Sequence, residues 1–90
     1  MTMQKYNYDE LGHSLLKYLY SNRHEENAGR RVISAIKKHF NISTATFNAV
    51  AYELKGKSLV NIACVTNSKV WFLTDKGVLY VEKNLRNTDE

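Results

Sequence analysis

Apolar residues recur at helical spacing through the first part of the chain, then change to the denser β-branched pattern of strands. Tyr8, Leu11, Leu15 and Leu19, with Tyr18 beside them, would line one face of a helix over Tyr8 to Tyr20. The polar cluster Ser21-Asn22-Arg23-His24-Glu25-Glu26-Asn27 has no apolar anchor and reads as a connection. Val32, Ile36 and Phe40, with Ile33, predict a second helix over Ala28 to Phe40. Asn27 is its expected N-cap, with Glu25 and Glu26 where the helix dipole favours negative charge. Asn41-Ile42-Ser43 is then a very short break. Ser43 is a good N-cap, and Ile42 before it is expected to pack as a hydrophobic staple on Phe47. Phe47, Val50, Ala51 and Leu54 form the core stripe of a third helix over Thr44 to Lys55, which Gly56 is expected to stop.

Leu59 to Val65 and Val70 to Thr74 read as strands, with Thr66-Asn67-Ser68-Lys69 as the hairpin turn. Thr74 can cap a last short helix over Asp75 to Leu85, with Val78, Val81 and Leu85 inward. The whole chain is expected to form one domain, with residues 1–7 and 86–90 as flexible ends.

Ninety residues allow one core and no cleft between lobes. Cys64 is the single cysteine, so an internal disulfide is excluded, and its apolar strand suits inert packing. The opening residues lack an apolar signal core, and no apolar run approaches the roughly 20 residues that span a bilayer. A cytoplasmic location without membrane attachment is the resulting expectation. Catalytic chemistry finds little to work with. His13, His24 and His39 are scattered, and His24-Glu25-Glu26 lacks the second histidine of a zinc-binding helix. No glycine-rich phosphate loop or nucleophile elbow is present. No enzyme activity, metal or cofactor is expected.

The order of elements is helix, helix, tight turn, helix, hairpin, short helix. Two amphipathic helices across a three-residue turn make a helix-turn-helix, and the hairpin after them makes a wing. The stretch Phe40-Asn41-Ile42-Ser43, then Phe47, Leu54 and Lys57-Ser58-Leu59-Val60, resembles the turn, third helix and wing start of the winged helix-turn-helix superfamily. Phe72-Leu73-Thr74-Asp75-Lys76-Gly77 resembles the strand exit and last helix start of its small bacterial members. The resemblance spans Tyr8 to Leu85. It implies an α+β winged helix-turn-helix fold and DNA as partner, with the third helix in the major groove and the wing on the backbone. A small transcriptional regulator of a bacterium, phage or mobile element is the role it suggests.

Charge agrees with a polyanionic partner: thirteen Lys and Arg against nine Asp and Glu give +4, with a pI near 9.3. Arg30, Arg31, Lys37 and Lys38 on the second helix, Lys55 and Lys57 at the end of the third, and Lys69 at the wing tip are expected to converge on one side. The outward face of the third helix carries Ala45, Asn48, Ala49 and Tyr52, flanked by Thr44, Thr46 and Glu53. Thr44 and Thr46 suit phosphate contact, while Asn48 alone suits bidentate base reading and Glu53 opposes phosphate. That face fits backbone contact, or a protein partner, better than sequence-specific reading. Alternatives are therefore an accessory protein binding DNA without sequence preference, including single strands, or a protein-interaction module using the third helix, with homodimerisation open. Alternation puts Trp71 and Leu73 on one face of the wing and Val70 and Phe72 on the other. Either one aromatic is exposed beside Lys69 for base stacking, or both are buried, one beneath Tyr6 and Tyr8; burial is the favoured expectation.

Overall fold

The computed structural model describes residues 8–65 and 67–85 of the chain. Helix α1 (Tyr8–Ser21) is followed by a 3₁₀ helix (Glu25–Arg31), α2 (Ile33–Phe40) and α3 (Thr44–Gly56). Strands β1 (Val60–Val65) and β2 (Ser68–Leu73) form an antiparallel hairpin, and α4 (Asp75–Asn84) returns to the helices. Expectations for Tyr6, the ring of Tyr8, Thr66 and the two chain ends lie outside the described residues. No described helix is long and apolar enough to cross a membrane.

The helical stripes converge as their periodicity demands. Leu16 and Leu19 of α1, Ile36 of α2, Phe47 of α3, Val60 of β1 and Val81 of α4 are all fully buried in one cluster. Helix α1 lies centrally, touching α3, α4 and β2. A helix with both faces covered reads as apolar on adjacent positions, and Leu15-Leu16 shows this.

The second helix departs from expectation. Residues 28–31 belong to the 3₁₀ helix, kinked at Asn27, and Val32 is extended (φ −83°, ψ 156°). Val32 makes an antiparallel bridge to Val70, lending the hairpin one rung on its outer edge. The N-cap of α2 is therefore Val32, which supplies no side-chain cap, and not Asn27. Gly29 and the β-branched pair Val32-Ile33 weaken the helix locally, and the ladder bond to β2 decides the matter.

The turn chemistry is mostly as expected. Ser43 Oγ accepts from the Thr46 N–H at 3.1 Å, and Thr74 Oγ1 accepts from the Gly77 N–H at 3.0 Å. Asn41 closes α2 in the left-handed region (φ 56°), and the Ile42 N–H reaches back to the Lys37 carbonyl at 3.1 Å. Gly56 does not stop α3. It is the last helical residue, and the left-handed position falls on Ser58 (φ 66°), whose N–H bonds the Lys55 carbonyl while Leu59 N–H bonds that of Leu54. The hairpin connection is also tighter than expected. Val65 pairs with Ser68 and Cys64 with Lys69, so Ser68 and Lys69 are strand residues and not part of the turn.

Gly77 is the one glycine whose missing side chain the fold requires. A Cβ there would collide with the Leu59 carbonyl oxygen, which already accepts the Thr74 N–H at 3.0 Å. In an exposed helix Gly→Ala would stabilise by about 1 kcal/mol. Here the collision is with backbone, so Gly77→Ala is expected to destabilise by at least about 2 kcal/mol net of that gain. Denaturant titration measures it; a stabilised variant would show that α4 starts elsewhere.

Candidate nucleic-acid interface

Helix α3 leaves one face outside the core. Thr44, Ala45, Asn48, Ala49, Tyr52 and Lys55 are exposed, while Phe47, Val50, Ala51 and Leu54 are buried. At its N-terminus, Lys37 from the last turn of α2 donates through Nζ to Thr44 Oγ1 at 2.6 Å. Ser43 Oγ also bonds Thr46 Oγ1 at 3.1 Å, so the hydroxyls of residues 43, 44 and 46 are already ordered. An ammonium, two threonine hydroxyls and the partial positive charge of the helix end meet there.

The C-terminal end carries Lys55 and Lys57. Lys57 stands 3.7 Å from Glu53, an exposed i,i+4 pair that contributes at most a few tenths of a kcal/mol. Glu53 thus partly neutralises the cation nearest to it, and it shares the exposed side of α3. Lys69 is exposed on β2, one step from the hairpin turn.

Trp71 joins α3 to the wing. Its ring, 4% exposed, stands edge-on to Phe47 (5.2 Å between centroids, 87°) and to Tyr52 (5.4 Å, 82°). Tyr52 itself is 52% exposed and lies at the seam between helix and hairpin. Simple alternation along β2 fails at this point: Val70, Trp71 and Leu73 are all buried, and Phe72 is half-buried. Val70 also forms the bridge to Val32 at the outer edge of the hairpin.

The remaining expected site residues are placed apart from this face. Arg31 is 7% exposed, and its guanidinium donates to the carbonyls of Asn22 (2.8 Å), Trp71 (3.2 Å) and His24 (3.4 Å). It ties the end of α1 to the wing and cannot reach a phosphate. Arg30 is exposed on the 3₁₀ helix, where its Nη1 donates to Asn22 Oδ1 at 3.4 Å and its carbonyl accepts the Tyr18 hydroxyl at 2.8 Å. Lys38 follows Lys37 by about 100° around α2 and lines a groove against α1. Cations expected on one helix face therefore divide: Lys37 serves the α3 end, Arg30 and Lys38 the opposite groove, and Arg31 the interior.

That groove was not visible in the sequence. Tyr18, His39 and Phe40 cluster there, with Tyr18–His39 at 4.5 Å and His39–Phe40 at 4.7 Å between ring centroids. Burial raises the Tyr18 phenol above its usual pKa, and the nearby Arg30 charge opposes the rise. The only sequence signal was Tyr18 flanking the apolar stripe of α1, which reads equally as packing.

No protein-family model matches the chain, and no curated protein matches it. Among solved structures it is similar to "Crystal structure of SSV1 F-93", with 22% sequence identity and a TM-score of 0.59. The superposition covers 92% of this chain and 87% of that chain. The neighbour has a winged-helix type of fold, and with the helix-turn-helix and hairpin described above, this chain has an α+β winged helix-turn-helix fold.

Proposed function

We propose that the chain binds DNA through the exposed face of α3 and the adjacent wing, as a small regulator of transcription. The observation that carries this reading is the coordinated end of α3, where Lys37 and Thr44 meet the helix N-terminus beside an exposed Asn48. Phosphate contacts there would set the helix in the major groove, and Lys69 would meet the backbone from the wing. The winged-helix neighbour supports the arrangement at the level of fold.

A second reading is favoured by one observation. Asn48 is the single bidentate base reader on the exposed face of α3, and Glu53 shares that side. A protein so equipped binds DNA with weak sequence preference, as an accessory factor would.

Removing Arg31 from the phosphate set, and placing Arg30 and Lys38 on the opposite groove, leaves Lys37, Lys55, Lys57 and Lys69. Affinity for duplex should then fall with salt with a log–log slope of about −3 to −4. Asn48→Ala separates the two readings. A regulator loses about 1–3 kcal/mol at its own site and little on random duplex; an accessory factor loses little on either. Absence of binding to every duplex and single strand at low salt rejects both.

A further inference from the structure

The open groove between α1 and α2 combines charge and aromatic surface, and no α3 residue lines it. Its volume is about 780 Å³, and neither Asp nor Glu lines it among the described residues. We propose that it binds a free nucleoside monophosphate, a phosphate monoester that carries a planar heterocycle.

The cationic side is built rather than incidental. Asn22, 8% exposed, donates from Nδ2 to the Tyr18 carbonyl at 2.9 Å and accepts Arg30 Nη1 on Oδ1 at 3.4 Å. One corner of the guanidinium is thereby positioned, while its other N–H groups have no acceptor among the described residues. A planar fork of this kind matches two phosphate oxygens. Lys38 contributes a second charge from α2. The aromatic side is the Tyr18, His39 and Phe40 cluster, in which His39 is exposed and Phe40 half-buried. Rings of this kind stack on a heterocycle at little cost in side-chain ordering, since their own packing already orders them.

The lining itself selects a small ligand. Arg30 and Lys38 share the open groove with the Tyr18, His39 and Phe40 rings, so one compact molecule meets both the cationic and the aromatic groups. The proposal does not depend on the DNA reading, because Thr44, Asn48 and Lys69 are absent from the groove.

Titration of the isotope-labelled full chain with adenosine monophosphate, followed by amide chemical shifts, tests it. Saturable shifts are expected at Ser14, Tyr18, Arg30, Lys38 and His39. Inorganic phosphate alone and adenosine alone should each bind at least about tenfold more weakly, since each offers half of the contacts. The double variant Arg30→Gln, Lys38→Gln should lower affinity by about tenfold or more, with an otherwise parental spectrum showing that it folds, while Asn48→Ala leaves affinity unchanged. Three results would overturn the proposal: no saturable shift at these amides in the millimolar range; equal affinity for phosphate and the nucleotide; or shifts there with oligothymidine alone, which would assign the groove to nucleic acid.

Discussion

The Arg31→Met variant is expected to lose about 3–4 kcal/mol of stability, because hydrogen bonds from a charged donor contribute about 1.5–3 kcal/mol each and two of the three here are well formed. Methionine keeps much of the apolar stem but leaves the carbonyls of Asn22, His24 and Trp71 without their donor. Some of the loss is returned, since a partly desolvated guanidinium no longer has to be accommodated. For a domain of this size each kcal/mol shifts the melting temperature by about 4–8 °C, so a fall of roughly 12–32 °C should be seen by circular dichroism. The same variant discriminates between two roles for this residue. Below its melting point it should bind DNA with the parental salt slope, because the guanidinium faces inward. A folded variant with normal stability and a shallower slope would mean that Arg31 is a phosphate contact after all.

Ile36→Ala is expected to cost about 2–5 kcal/mol, the range for large-to-small changes at fully buried positions. The upper half of that range is favoured here, because Ile36 is the single fully buried residue on an eight-residue α2. A helix that short holds its place by packing rather than by propensity. Loosening it also frees the Lys37–Thr44 contact that leads into α3, so DNA affinity should fall along with stability. A loss below about 0.5 kcal/mol by denaturant titration would contradict the burial of this position.

Local pattern carried most of the helix-turn-helix. The stripe Phe47, Val50, Ala51, Leu54 is buried as its spacing requires, and Ser43 and Thr74 cap the helices that follow them. These features are short-range. A 3.6-residue period and a hydroxyl three residues before a free N–H are both written within one turn of chain. The left-handed Asn41 is of the same kind, since asparagine tolerates that conformation where most residues do not.

What the chain alone could not reveal depended on partners distant in sequence. Arg30 and Arg31 are neighbours and look alike, yet one is exposed and the other is 7% exposed, forty residues from the Trp71 carbonyl it holds. Whether Val32 continues a helix or turns extended to form a bridge rests on Val70, which local propensity does not know about. The same holds for β2, where alternation predicts one covered side, yet the neighbours Val70 and Trp71 are both buried. Composition and periodicity thus determined which elements exist and which stripe each turns inward, because those choices are settled by hydrophobic burial within a turn or a strand. Only the tertiary structure decided which cations meet α3, which line the α1–α2 groove and which one is taken into the interior. A long charged side chain goes wherever acceptors remain unsatisfied, and their positions are set by the packing of every other element.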